Sequence, residues 1–356
     1  MMMYLLRPVS SFTVSSSRVV HHKLSSSSKH HHRLSVRMMQ SSNHNNSNIW
    51  YNEALMEHML YRIKACNSPA NVQLIDFTVN GQILGKCTTK VAQRLCSAGS
   101  TFELATGTNH PTLTLSNSAG TTVEQRTKSV SKVMESLASS GYISGWRDEL
   151  YPVSTNFNSQ PVFLVERAAA SLLGVIEYGV HINGLVKNED GETMMWMARR
   201  SATKSAFPGY LDHIVAGGQP ANISLMDNVI KECMEEAGIS PELAANVKPA
   251  GAISYENYGG KRSAEGEGVV NRVVLFNFDL ELPSNFVPRV VDGEVESFFK
   301  WSLEEVALSM APDYHDPIKP NCYLVIIDYL LRSGVISPDT PKYLEVLRLL
   351  RSGSCC

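Results

Sequence analysis

Residues 74–79 alternate apolar and polar side chains, Leu74-Ile75-Asp76-Phe77-Thr78-Val79, and run straight into Asn80-Gly81. A period of two predicts a half-buried strand, and Asn-Gly is the strongest short signal for a hairpin turn. Further on the period lengthens to that of a helix. Thr122 precedes Val123, Val130, Val133 and Leu137 at helical spacing, Gln125 completes a capping-box pattern and Gly141 offers a stop. Residues 48–165 therefore read as a small α+β domain. From Gly174 onward strands and helices alternate: apolar runs at 178–182 and 194–199, the pair Gly217-Gly218 before a helix, a long strand over 272–282 and a helix over 323–331. Helices packed on a mixed sheet over residues 174–335, with a helical tail over 336–356, is the economical arrangement.

The chain's 356 residues suffice for two such domains, and 19% charged with 43% hydrophobic residues is ordinary for a folded protein. Charge is uneven. Residues 1–50 hold no Asp or Glu but contain Arg7, Arg18, Lys23, Lys29, Arg33 and Arg37 among many Ser and His. The first 45 residues have the composition of an organellar transit peptide, and the His21-His22 and His30-His31-His32 runs, without acidic or Cys partners, read as part of that basic leader. Without the six basic residues the chain carries 26 basic against 34 acidic side chains, a net charge of −8. An acidic body argues against a general nucleic-acid partner, and no apolar run reaches membrane-spanning length. Seven cysteines with no CxxC spacing indicate neither a disulfide framework nor a zinc knuckle, and Cys355-Cys356 reads as a free tail.

The chemistry lies between Gly217 and Ile239. Ser224 is placed to cap a helix with Asp227 three residues later, and Gly238 followed by Ser240-Pro241 ends it. On that helix Glu232, Glu235 and Glu236 stand at i, i+3 and i+4 and share a face, opposite an apolar face of Met226, Ile230, Cys233 and Ala237. Three neighbouring carboxylates repel one another by a few tenths of a kcal/mol per pair, roughly, and a hard dication relieves that repulsion while bridging to phosphate oxygens. A solvated acidic face is the usual explanation of such a run. Here the string E-x-x-E-E-x-G-aliphatic arises by chance on the order of once in a thousand chains.

The segment resembles the Nudix box, a glycine loop, helix and loop whose glutamates bind divalent metal. Gly217 matches its first glycine, Lys231 its arginine, Glu232, Glu235 and Glu236 its metal-binding glutamates, and Gly238-Ile239 its end. Ile223 stands where the box has a glutamate and Lys231 where it has arginine, and Asp227 with Lys231 at i, i+4 is expected to form a substitute ion pair. Trp196 to Lys204, Phe207 to Asp212, Gly145 to Pro152, Asp292 to Phe298 and Lys319 to Cys322 are similar to the Nudix subfamily related to the N-terminal half of fungal thiamine pyrophosphokinase, to which plant plastid Nudix hydrolases belong. That subfamily shares the non-acidic residue at the Ile223 position.

The resemblance implies an α/β/α sandwich with a mixed sheet behind a small α+β domain. It also implies a Mg²⁺-dependent phosphoric anhydride hydrolase, with Mn²⁺ as alternative ion, acting on thiamine diphosphate and preferentially its oxidised analogues to give the monophosphate and phosphate. The residues themselves support diphosphate chemistry in general, and ADP-ribose, a nucleotide sugar or coenzyme A are the alternative substrates. A non-catalytic diphosphate-binding protein and an isomerase of an allylic diphosphate are further readings. Glu294 and Glu296, alternating with Val295, are expected on one side of an extended strand as a further metal ligand or the general base, with Glu235 as the third candidate base. Arg199, Arg200 and Lys204 are candidates to grip diphosphate, with Gly217 and Gly218. Trp146, Trp196, Tyr210, His181 and His213 are expected to be structural. The expected partner is a small diphosphate, with neither nucleic acid nor membrane, for a monomer or homodimer located in the chloroplast, with the mitochondrion as alternative.

Overall fold

The computed structural model describes residues 49–106, 110–259 and 268–353. The leader, its histidine runs and Cys355-Cys356 lie outside them. After helix α1 (Glu53–Cys66), strands β1 (Leu74–Val79) and β2 (Gln82–Thr88) form the expected hairpin. Asn80 and Gly81 take φ of 52° and 76°, the left-handed pair that a two-residue turn between twisted strands demands. Helix α2 (Thr89–Ser97), strands β3 (Phe102–Ala105) and β4 (Thr112–Leu115) and helix α3 (Val123–Ser139) follow. The sheet runs β2-β1-β4-β3. Helix α3 carries the capping box: Thr122 accepts from Gln125 N–H while the Gln125 side chain reaches back. Phe77, Leu95, Leu113, Met134 and Phe163 fill this domain's core.

A second antiparallel pair, β5 (Leu150–Val153) and β6 (Phe163–Glu166), leads through α4 (Ala170–Leu173) to Gly174. Gly174 has φ 54°, and a Cβ there would stand 1.9 Å from the Lys86 carbonyl oxygen. Only glycine lets the two domains close on each other at this seam.

The second domain is built on β7 (Ile176–Lys187), β8 (Thr193–Arg200), β9 (Leu211–His213), β10 (Val215–Gly218), β11 (Lys248–Tyr258), β12 (Val270–Glu281) and β13 (Val295–Ser302). The main order is β11-β12-β7-β8-β13, with β10 paired to β7 and β9 to β8; β7 and β12 are parallel and the other pairings antiparallel. Strand β7 is buried along nearly its whole length, as a central strand covered on both faces must be. Helix α5 (Leu225–Ala237) covers one face, packing Val229, Cys233 and Ala237 on Val180, Ile182, Phe278 and Leu280, and the short α6 (Pro241–Ala244) follows it. The opposite face is covered by α7 (Leu303–Leu308), α8 (Pro320–Arg332) and α9 (Tyr343–Leu350). Strand β8 divides its side chains between the layers by simple alternation: Met195 and Met197 enter one core and Trp196 the other.

The layers are the expected α/β/α sandwich, but two expected boundaries move. Helix α1, placed by sequence in the first domain, packs Leu55, Met59 and Ile63 into the second core beside Tyr323, Ile326 and Val346. The presumed tail over 336–356 contributes α9 to that same layer, with Val346 and Leu350 buried. Helices α1 and α9 thus complete this layer between them.

Candidate active site

Helix α5 is set by its ends. The Ser224 hydroxyl accepts from Asp227 N–H at 3.1 Å, and Gly238 closes the helix in the left-handed conformation at φ 63°. The buried face differs from the expected one. Met226 is exposed, and Val229 takes its place because Ser224 starts the helix with Asn228 and Val229 turned inward. Asn228 ties the glycine loop, donating to Gly218 O at 2.7 Å and Gln219 Oε1 at 3.1 Å, while Gln219 donates to Ile223 O at 2.9 Å. These amides fix the loop where an acidic residue is missing.

The three glutamates do not face one way. Glu232 and Glu236 are 9% and 8% exposed, turned toward β10, whereas the Glu235 side chain is 51% exposed. Glu236 Oε2 accepts from Ala216 N–H at 2.8 Å. Glu232 lies over Gly217, where an added Cβ would stand 2.2 Å from its carboxyl carbon. Burial, reinforced by Glu235 and Glu149, outweighs Lys231 and raises the Glu232 pKa; burial and the Glu232 charge push Glu236 well above the ordinary range. Lys231 pairs with Glu235 at 2.9 Å and Glu232 at 3.1 Å. The expected Asp227–Lys231 pair is therefore replaced, because the Ser224 hydroxyl already holds Asp227 Oδ2 at 2.6 Å and the lysine finds two carboxylates instead of one. Glu232 and Glu236, buried beside β10, and the exposed Glu235, with an ammonium already drawn to two of them, offer the oxygen donors that a hard dication takes.

Arg200, Lys204, Asp212, His213 and Glu294 line one pocket together with Glu236 of α5. Lys204 pairs with Glu294, and Arg200 Nη1 pairs with Asp212 Oδ2 at 2.7 Å. Glu294 is half-buried, and burial alone would raise its pKa, but the bond and charge of Lys204, with Arg147 and Arg167, bring it below the ordinary carboxylate value. Two of the expected groups stand elsewhere. Arg199, one residue from Arg200 on β8, projects to the other face, where Asp316 holds it at 2.6 Å and 2.9 Å. Glu296 is exposed and close enough to Arg199 to raise its pKa, because the register of β13 against β8 slips between Val295 and Ser297 and breaks the alternation that put Glu294 and Glu296 on one side.

The first domain reaches the site, which spacing alone did not disclose. A Cβ on Gly218 would stand 1.8 Å from the Tyr151 hydroxyl and 3.3 Å from the Arg167 guanidinium carbon. Arg167 pairs with Glu149 at 2.8 Å, Ala221 N–H donates to Leu150 O at 2.9 Å, and Arg147 donates to Ser205 Oγ at 2.9 Å. Nor are the two histidines solitary: His181 Nδ1 and His213 Nδ1 stand 2.9 Å apart, fully buried. Burial, with the mutual charge of the pair and Lys319, drives His181 well below its ordinary value; burial, against Asp212, takes His213 to about 4. Both rings are neutral at physiological pH. Trp196 is the core residue expected of it.

The pocket brings the carboxylates Asp212, Glu236 and Glu294 together with the cations Arg200 and Lys204, a lining suited to a ligand that carries phosphate oxygens. Comparison with known proteins gives the family. The NUDIX domain profile matches residues 177–322, and the profile "Domain of unknown function (DUF4743)" matches residues 58–177. The chain is 39% identical to Nudix hydrolase 24, chloroplastic, of Arabidopsis thaliana over 306 residues, 85% of this chain and 80% of that protein. It is 39% identical to Nudix hydrolase 20, chloroplastic, of the same plant over 312 residues, 86% of this chain and 80% of that one. It is also 39% identical over 213 residues to the uncharacterized protein YJR142W of Saccharomyces cerevisiae, 58% of this chain and 60% of that protein. The chain belongs to the Nudix hydrolase family and is a hydrolase of that type, a family that works on small diphosphates with a divalent metal.

Proposed function

We propose that this protein hydrolyses the diphosphate of thiamine diphosphate and, preferentially, of its oxidised analogues, releasing the monophosphate and phosphate with Mg²⁺ in the chloroplast. The observation that carries the diphosphate reading is the single pocket in which Glu236 and Glu294 meet Arg200 and Lys204 beside the Glu232–Gly217 contact. The thiamine part rests on the resemblance to the thiamine pyrophosphokinase-related subfamily, carried by segments from both domains. The location rests on the acid-free leader and on the two plant relatives called chloroplastic.

Glu232 and Glu236, with Glu235 swinging in from solvent, would hold the ion. A divalent ion bound there neutralises phosphoryl oxygens and makes phosphorus more electrophilic. Arg200 and Lys204 take the remaining phosphate oxygens, with Arg147 and Arg167 of the first domain as further cations at the rim. Glu294, kept ionised by Lys204, accepts the proton of the attacking water as its oxygen bonds to phosphorus and the bridging oxygen departs. Glu294 is favoured over Glu296 because it lines the pocket and Glu296 is not among its lining residues.

The deciding measurement is phosphate release with Mg²⁺ from thiamine diphosphate, oxothiamine diphosphate and ADP-ribose in parallel. Fastest turnover of the oxidised thiamine compound is expected. A clear preference for ADP-ribose would replace the thiamine assignment while leaving the diphosphate chemistry in place, and silence on all three from folded, metal-binding protein would remove the thiamine assignment and turn the reading to another diphosphate or to a binding role.

A further inference from the structure

Behind the diphosphate pocket lies a second group of donor atoms of different character. His181 on β7, Asp212 and His213 on β9 and Cys322 on α8 are all buried, and one donor atom from each lies within 4.8 Å of every other. The spacings are 2.9 Å between the two Nδ1 atoms, 2.8 Å from Cys322 Sγ to Asp212 Oδ1, 4.0 Å from Cys322 Sγ to His181 Nδ1, and 4.0 Å from His213 Nδ1 to Asp212 Oδ1. A tetrahedral ion with bonds of about 2.0–2.3 Å has ligand-to-ligand edges of about 3.3–3.8 Å. The four measured edges straddle that range, so each needs to open or close by less than about 1 Å to enclose an ion.

We propose that His181, Asp212, His213 and Cys322 form a structural Zn²⁺ site, distinct from the glutamate site of α5. The donor set is the first reason. Two imidazoles, a thiolate and a carboxylate suit a borderline-soft ion, whereas the α5 glutamates offer only the hard oxygens that Mg²⁺ prefers. The charge is the second, because one thiolate and one carboxylate neutralise a dication in a buried place. The surroundings are the third. Asp212 turns Oδ1 into the cluster and leaves Oδ2 to Arg200 at 2.7 Å and Lys319 at 3.3 Å, the outer hydrogen bonding that orients a ligating carboxylate. Without an ion the same four side chains are joined by the Nδ1–Nδ1 hydrogen bond of the two rings and by a weak S–H donor to a carboxylate that two cations already hold.

Four protein ligands make a closed site, which is structural in kind. It would lock β7, β9 and α8 together, from positions 141 residues apart, at the point where Asp212 fixes Arg200. Asp212 and His213 also line the diphosphate pocket, which gives an ion a way in.

The test is metal analysis of the purified full chain. One zinc per chain is expected to survive dialysis against a weak chelator, to fall away in Cys322→Ser and His181→Gln, and to persist in the Glu232→Gln, Glu236→Gln double variant. Replacement of zinc by Co²⁺ in the unaltered protein is expected to produce a thiolate-to-metal charge-transfer band in the near ultraviolet, a readout that does not depend on any variant folding. Wild-type protein that retains no zinc, zinc lost with the glutamates instead of with Cys322, or a cobalt spectrum without the thiolate band would each overturn the site.

Discussion

Each of the two glycines before α5 makes room for a specific side chain: Gly217 for Glu232, Gly218 for Tyr151. Gly217→Ala should therefore act through Glu232. We expect it to match Glu232→Gln, each lowering turnover by at least about 100-fold, equivalent to roughly 3 kcal/mol of lost transition-state stabilisation. Circular dichroism and melting checks should show retained fold, and a fully active Gly217→Ala enzyme would mean Glu232 is not needed where it lies. Lys204→Met tests the base. Removing the ammonium lets the Glu294 pKa rise, so the carboxylate is protonated over more of the range and the acid limb of the pH–rate profile moves to higher pH. An unmoved limb would take Glu294 out of the role. That Glu232, Glu235 and Glu236 share one helix was legible because its end signals are strong. Their separate exposures were not, since these depend on which strand lies against the helix, and only the fold supplies β10.

At the scale of elements, the helices with strong end signals were legible. Thr122 with Gln125 and Ser224 with Gly238 mark α3 and α5 because a cap satisfies backbone groups regardless of tertiary context. Ser224→Ala should cost about 1 kcal/mol of stability, seen as a melting temperature lower by roughly 2 °C, with activity unchanged because Ser224 is exposed and touches no pocket residue. A drop in activity without a drop in stability would show that the cap does something else. Alternation was a weaker guide. It failed at β13, where a slip of register between Val295 and Ser297 separates Glu294 from Glu296. A bulge of this kind leaves no mark in the hydrophobic pattern. The same limit hid the histidine pair, since His181 and His213 meet only because β10 pairs with β7 while β9, just before it in sequence, pairs with β8.

At the scale of the molecule, the texture of the sequence changes near Gly174, close to residue 177 where the two matched profiles meet, but where α1 and α9 pack was not legible. Helix α1 precedes the first domain in sequence and belongs to the second in space, an arrangement that periodicity cannot report because an amphipathic helix does not name its partner. Its Leu55, Met56, Met59, Leu60 and Ile63 are all buried, each contributing about 1.5–3 kcal/mol. Their sum, on the order of 10 kcal/mol, rivals the whole stability of a typical domain. A chain begun at Gly174 should therefore fail to fold, and its inactivity would say nothing about the first domain's part in binding. The informative change is Arg167→Ala in the full-length chain. Arg167 stands beside Gly218 and lowers the Glu294 pKa, so its loss should raise KM by about tenfold with a smaller effect on kcat, the pattern of a group that binds diphosphate before the reaction. Equal KM with reduced melting temperature would instead make Arg167 a strut between Glu149 and Tyr151. That outcome would confine substrate recognition to the sandwich and leave the first domain as its support.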